Sequence, residues 1–175
     1  MKLVRWKCFT WDLSKLSPPE TALPAHFHIR AAAKEDGKPV HDVIVSAFSS
    51  DSSWSDAFSR FRERLEFQLE GAFLRPSIPA LVVTHGQRVI AASLLSTEVD
   101  AESHLLSGPC VIMEYRNRGI GTILLFHSLK ALQGTGLSHA HGICKETAPT
   151  SKFVYRKFGS TSQPCQVDPA PVATK

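Results

Sequence analysis

The chain has 175 residues, of which 43% are hydrophobic and 21% are charged, and its formal net charge at pH 7 is +4. These values indicate one soluble globular domain with a substantial core, and no apolar run approaches the ~20 residues that a membrane-spanning helix needs. The four cysteines are widely scattered without a Cys-x-x-Cys pair, which argues against a metal site or a disulfide framework and favours a cytoplasmic location.

Residues 1–26 are predicted to form an N-terminal extension that adds a strand. Aromatic and polar residues alternate from Lys2 to Trp11, and the sequence Ser17-Pro18-Pro19 ends that pattern. The main domain is predicted over residues 27–160 and begins with a strand. Residues 161–175 are predicted to be a weakly ordered tail.

Two amphipathic helices and a hairpin are predicted after the strand Phe27–Arg30. Apolar residues recur at helical spacing between Pro39 and Phe48, and again from about Trp54 to Leu69. Two strand-like runs then meet at His85-Gly86-Gln87, which predicts a hairpin over Pro79–Leu95.

The second half of the chain is predicted to alternate strands and helices. The predicted elements are a strand at His104–Met113, a helix at Ile123–Leu132, a strand at Leu137–Cys144 and a helix at Pro149–Phe158. A glycine commonly follows the last turn of a helix in a left-handed conformation. Gly134 or Gly136 is therefore expected to end the first of these helices, and Gly159 the second.

The stretch Arg116 to Thr122 has the features of an anion-binding site. It lies between the strand at His104–Met113 and the helix that follows. Backbone N–H groups point outward at a helix start, and the helix dipole adds partial positive charge there. Gly119 and Gly121 would let a ligand approach the backbone closely. No lysine follows the second glycine and no third glycine follows at the dinucleotide spacing, so neither common nucleotide motif is present.

The pattern Arg-x-x-Gly-x-Gly after a strand resembles the acyl-CoA pyrophosphate loop of the GNAT superfamily of N-acyltransferases. The stretch Ser151–Gly159 is similar to the helix end that closes the same superfamily's cofactor site, and the two motifs stand in the matching order. The resemblance covers roughly residues 27–160. It implies an α/β (α+β) fold with a mixed, mostly antiparallel sheet, splayed fourth and fifth strands, and helices on both faces.

Acetyl-CoA is the cosubstrate that the resemblance implies. Seven lysines and arginines but one acid, Glu146, lie between Arg116 and Lys157, which suits a polyanion such as coenzyme A. Nucleic acid is disfavoured as a partner, since no aromatic-interleaved basic stripe or helix-turn-helix pattern is present. The implied cofactor-binding residues are Val111, Ile112, Met113, Arg116, Asn117, Arg118, Gly119, Ile120, Gly121 and Thr122.

The activity implied is transfer of an acetyl group to a primary amine of a small molecule, peptide or protein, by direct attack through a tetrahedral intermediate. Tyr155 matches the superfamily's tyrosine acid, which protonates the departing sulfur. Holding a lysine-like amine unprotonated at neutral pH costs roughly 4.6 kcal/mol, so a base or a desolvating pocket is needed. Glu102 and His104 are positional candidates for that base. His139 and His141 share a face of the following strand and are further candidates.

Two departures from the family pattern leave a second hypothesis open. Ala148 stands where the family often has an asparagine that bonds the cofactor arm, although Thr147 or Thr150 could supply a hydroxyl. Fifteen residues follow Ser160, where the family usually has two more strands. The alternative is therefore a catalytically idle domain of the same fold that binds acyl-CoA or serves in protein interaction.

The acceptor amine and the oligomeric state are not determined by the sequence. Several acids in loops could attract a cationic amine, namely Asp51, Asp56, Glu98, Asp100 and Glu102. A shortened final sheet would leave an edge that a second copy of the chain could cover, which favours a homodimer. No contact with a membrane is expected.

Overall fold

The computed structural model describes residues 5–52, 62–67, 69–70 and 79–167. Within these ranges, the strands are β1 Trp6–Asp12, β2 Phe27–Ala31, β3 Ala80–His85, β4 Arg88–Leu94, β5 Cys110–Val111, β6 His139–Lys145 and β7 Thr161–Cys165, and the two long helices are α1 Gly37–Ser49 and α2 Ile120–Gly134. The strands form two antiparallel sheets, one in the order β2-β3-β4-β5 and the other in the order β6-β1-β7. The predicted fold class is confirmed.

The larger sheet is covered by helices on both faces. Six consecutive residues of β4 are buried, and both α1 and α2 contact this strand. A strand of six buried residues has no solvent-facing side, which explains its run of small and branched apolar residues. The predicted first and third helices and the hairpin are confirmed, and Gly134 is the last residue of α2.

The second predicted helix falls partly outside the described residues. Residues 62–67 and 69–70 are helical, and Leu65 and Leu69 are buried as the apolar stripe predicts. In the part of the chain that the structure describes, no helix has both the length and the apolar character needed to cross a membrane.

The N-terminal strand lies at the centre of the smaller sheet. β1 pairs with β6 on one side and with β7 on the other. Phe9 and Trp11 are fully buried, and they pack in one cluster with Leu125 and Leu129 of α2. The predicted N-terminal extension therefore contributes its strand β1 to the hydrophobic core.

Residues 161–175, which were predicted to be a weakly ordered tail, begin with a strand. Thr161–Cys165 forms β7, which pairs with the first five residues of β1, so the expectation of a tail is wrong for these residues. Four of the five residues of β7 are exposed, so no apolar alternation marks the strand in the sequence. Pro164 is tolerated because β7 is an edge strand, where a missing N–H need not break a ladder.

The two sheets are joined at one end and separate at the other. The backbone N–H groups of His104 and Leu105 donate to the carbonyl of His141, while the N–H of Leu106 donates to the carbonyl of Leu94. Beyond this junction, β5 pairs with β4 but not with β6. The strands before and after α2 thus splay apart, as the family resemblance implies.

The predicted strand His104–Met113 is interrupted between the junction and β5. Gly108 has a left-handed backbone with φ +64, and Pro109 has no N–H to donate. Only Cys110–Val111 remain as a paired strand after this break. The predicted strand is therefore interrupted by the Gly108-Pro109 pair within the apolar run.

The predicted last helix is a five-residue π-helix, Thr150–Val154. The N–H of Tyr155 donates to the carbonyl of Thr150 at 2.8 Å, one residue further back than in an α-helix. Phe158 and Gly159 follow with φ values of 61 and 71, and these left-handed residues end the segment. Gly159 has the conformation that its position predicts.

Phe9→Ala tests whether β1 belongs to the core. The side chain is 1% exposed, so its loss should lower the free energy of unfolding by about 3–5 kcal/mol in urea denaturation. Phe67→Ala is the control, because that ring is 69% exposed and its loss should change stability by about 0.5 kcal/mol or less. Equal effects of the two substitutions would contradict a structural role for β1.

Candidate functional site

A cavity of about 490 Å³ lies beyond the gap between β5 and β6, where β5 faces the π-helical segment that follows β6. Its wall is formed by the end of α1, by β5, by the loop before α2 and by the π-helical segment. The lining residues used below are Phe48, Asp51, Val111, Arg116, Gly119, Gly121, Thr150 and Lys157. The cavity therefore lies where the splay has left backbone without a neighbouring strand.

The loop before α2 presents a helix N-terminus to this cavity. Gly119 precedes the helix with φ 77, and no side chain caps the first turn. The first N–H groups of a helix have no partners within it, so they can bind an anion. A Cβ built at Gly121 would lie 3.7 Å from the Val111 side chain, and one at Gly119 would lie 4.0 Å from Thr21. Packing requires glycine at neither position, but the left-handed backbone at Gly119 favours it there, and both residues line the cavity.

Arg116 fixes the shape of the cavity wall. Its Nε donates to the Val111 carbonyl at 2.9 Å, and its Nη2 donates to the Ala47 carbonyl at 3.0 Å. Ala47 lies in the last turn of α1, where carbonyls lack a partner within the helix. One guanidinium therefore connects α1, β5 and the loop, and it places positive charge in the cavity wall.

The implied cofactor-binding residues are divided by the structure into two groups. Those that line the cavity are Val111, Arg116, Asn117, Gly119, Ile120, Gly121 and Thr122. Ile112, Met113 and Arg118 do not line it. The Ile112 N–H donates to the Ile90 carbonyl at 3.1 Å, the Met113 side chain is 60% exposed, and Arg118 bonds the Glu114 carbonyl outside the cavity.

The ladder between β4 and β5 leaves one N–H directed at the gap. Antiparallel pairing alternates between groups that face the partner strand and groups that face away. Because Ile112 bonds β4, the N–H of the preceding Val111 points away from β4. Among the implied cofactor-binding residues Val111, Ile112 and Met113, Val111 is therefore the one whose N–H faces the gap.

Tyr155 lies behind the cavity in the smaller core. Its ring is 2% exposed and makes edge contacts with Phe9 and Trp11 at centroid distances of 5.3 and 5.2 Å. Burial raises the pKa of the Tyr155 hydroxyl well above its usual range, so the group is protonated at neutral pH. A Cβ at Gly108 would collide with this hydroxyl.

A second, smaller cavity beside Tyr155 shares three wall residues with the large one. Its volume is about 50 Å³, and its wall includes Tyr155 and Cys144. Phe48, Ser107 and Thr150 line both cavities. The hydroxyl of Tyr155 is therefore separated from the gap by a few shared side chains.

His104 does not fit the role of a base. It is 1% exposed, its Nε2 lies 3.1 Å from the Glu98 carbonyl, and its Nδ1 accepts the N–H of His141 at 2.9 Å. Both ring nitrogens are thus engaged with backbone, and burial lowers the pKa of the imidazole. These bonds suit a neutral histidine that holds the sheet junction together.

Glu102 and the strand histidines also lie away from the cavity wall. Burial raises the pKa of the Cys8 thiol and the charge of the exposed Glu102 adds to that rise, which places this acid near the smaller sheet. His141 lies 3.1 Å from the Thr10 hydroxyl, and His139 is exposed beside Ser138. The described residues contain no group of three or more potential ligands placed to hold a metal ion.

Asp51 is the acid that the structure brings to the cavity. Glu98, Asp100 and Glu102 are exposed and do not line it, and Asp56 lies outside the described residues. Burial raises the pKa of the Cys144 thiol to about 12, and the charge of Asp51 contributes to that rise. Its position directly after the first amphipathic helix is the sequence signal that could have separated it from the other acids.

Residues 42–159, about two thirds of the chain, match the model of the acetyltransferase (GNAT) family. The chain belongs to the GNAT acetyltransferase family. Among curated proteins, none matches the sequence significantly. The family assignment accounts for the two motifs that flank α2 and for the cavity between them.

Solved structures of GNAT proteins share the fold at low sequence identity. A GCN5-related N-acetyltransferase from Sphaerobacter thermophilus is 18% identical with a TM-score of 0.63, over 93% of this chain and 50% of that chain. One from Kribbella flavida is 13% identical with a TM-score of 0.58, over 91% and 55%. A tandem GNAT protein from the clavulanic acid biosynthesis pathway is 15% identical with a TM-score of 0.60, over 98% and 55%. This GNAT chain spans about half the length of these proteins.

Arg116→Lys tests the connection between α1, β5 and the loop. A lysine keeps the charge, but its donors share one terminal nitrogen and cannot reproduce the separate Nε and Nη2 bonds, so the free energy of unfolding should fall by about 1–3 kcal/mol. Arg118→Lys is the matched control in the same loop, because its guanidinium bonds an exposed carbonyl and its loss should cost about 0.5 kcal/mol. If thermal or urea unfolding gave the same loss for both variants, Arg116 would not have this role.

Proposed function

We propose that this GNAT-family protein is an N-acetyltransferase that moves an acetyl group from acetyl-CoA to a primary amine. The observation that carries the proposal is a pair of adjacent cavities that share Phe48, Ser107 and Thr150, one lined by the uncapped start of α2 and the other by the buried Tyr155. A thioester donor needs both features, because its phosphates require positive groups and its sulfur requires a proton.

The loop residues are suited to the phosphate end of acetyl-CoA. The first turn of α2 offers backbone N–H groups, and Arg116 and Lys157 add positive charge to the wall. Gly119 and Gly121 leave space for close approach. When bound, acetyl-CoA would supply an acetyl group activated as a thioester.

Tyr155 and Val111 are suited to the thioester end of acetyl-CoA. The Val111 N–H would donate a hydrogen bond to the acyl carbonyl oxygen. As the C–N bond forms and the C–S bond breaks, Tyr155 would give its hydroxyl proton to the sulfur. The phenolate would then recover a proton from the nitrogen that received the acetyl group, and its raised pKa favours that recovery.

The idle alternative is favoured by one observation just before the π-helical segment. Ala148 is 1% exposed, and its methyl group cannot replace the hydrogen bond of the asparagine that many relatives have there. Thr150 lies in the wall of both cavities, whereas Thr147 is exposed and lines neither. A protein that binds acetyl-CoA but acetylates no amine would support the alternative.

Tyr155→Phe tests the proposed chemistry. The rate of acetyl transfer to a panel of primary amines should fall by about 10²–10⁴-fold, because the acid for the sulfur is lost. The dissociation constant of acetyl-CoA should stay unchanged, since the phosphate end is untouched. Circular dichroism and urea unfolding of the variant provide the control for correct folding. A variant with wild-type turnover would contradict the assignment of Tyr155.

A further inference from the structure

The charges along the large cavity are not evenly distributed. Arg116 and the α2 N-terminus make its loop side positive, and Lys157 lines the wall just beyond the π-helical segment. Asp51 is the one acidic side chain among the described residues that lines it. A cavity with this polarity favours an anionic ligand at one side and a cationic ligand at the other.

Asp51 lies beside Phe48 in the wall of the large cavity. It follows the last turn of α1, and its N–H donates to the carbonyl of Phe48, whose side chain lines both cavities. Its charge also acts on Cys144, which shares the wall of the small cavity with Tyr155. The carboxylate is thus near the place where the proposed function requires the acceptor nitrogen.

We infer that Asp51 is a specificity-determining residue that binds the acceptor as an ammonium ion and so restricts acceptors to cationic primary amines. This inference rests on the proposed function. A carboxylate and an ammonium form a charge-assisted hydrogen bond, which is stronger than a bond between neutral groups. The ammonium loses one proton to solvent before the nitrogen attacks, so each turnover releases one proton in addition to the acetylated amine and free coenzyme A.

Two isosteric probes separate recognition of charge from recognition of shape. At pH 7.5, 2-phenylethylamine is a cation, whereas O-benzylhydroxylamine has nearly the same shape and is neutral. Binding of each to the coenzyme A-saturated protein can be followed by NMR, and acetylation of each by the release of free thiol. Wild type should bind the cation at least tenfold more tightly than the neutral probe.

Asp51→Asn should remove that preference. For the cationic probe, the dissociation constant and the Michaelis constant should both rise about tenfold. Both constants for O-benzylhydroxylamine, and the dissociation constant of acetyl-CoA, should stay within about twofold of the wild-type values. Asp51→Glu, which keeps the charge, should retain the preference. Asp42→Asn is the matched control on the exposed face of α1, where the carboxylate pairs with Lys38 away from the cavity.

The outcomes distinguish this inference from the function on which it rests. Equal binding of the two probes by wild type, or an unchanged preference in Asp51→Asn, would overturn the role of Asp51 even if acetylation proceeds normally. Failure of wild type to bind acetyl-CoA would instead overturn the proposed function. Loss of the preference in Asp42→Asn as well would show a general charge effect and would also overturn the assignment.

Discussion

The separation of β5 from β6 is the constraint on which the rest of the structure depends. His104 and its neighbours hold the two sheets together at one end, where their backbone groups bond both sheets. At the other end, Arg116 connects β5 to α1 and leaves the gap open. The cavity, the exposed helix start and the free N–H of Val111 all follow from this arrangement. A continuous ladder between the strands would remove all three.

The N-terminal strand connects stability with the proposed chemistry. Phe9 and Trp11 form the core of the smaller sheet and hold the ring of Tyr155 between them and the π-helical segment. The Trp11 indole also donates to the carbonyl of Lys157 at 2.9 Å, just beyond Tyr155. The same contacts that bury apolar surface therefore fix the position of the proposed acid and keep it protonated.

The sequence predicted the elements whose signals are local. The apolar stripes of α1 and α2, the hairpin and the glycine-containing loop each depend on spacing within one segment. β7 was not predicted, because its residues are mostly exposed and its stability comes from pairing with distant β1. Most of the loop residues named from the sequence line the cavity, whereas the candidate bases Glu102 and His104 do not, and Asp51 was named only among the acids that could attract an amine. Which of these side chains line the cavity depends on tertiary contacts. The bond between His104 and the backbone of His141, for example, follows from no local pattern.

Calorimetric titration of acetyl-CoA into wild type and two glycine variants tests most directly whether the cavity is a coenzyme site. Gly121→Trp should abolish the binding that wild type shows, because the added side chain would fill the space at the helix start. Gly134→Trp makes the same change at the far end of α2, where nothing lies within 4 Å, and should bind as wild type does. Dephospho-coenzyme A and free nucleotides serve as further ligand controls. Absence of binding to wild type, or equal binding to Gly121→Trp, would contradict the role of this cavity.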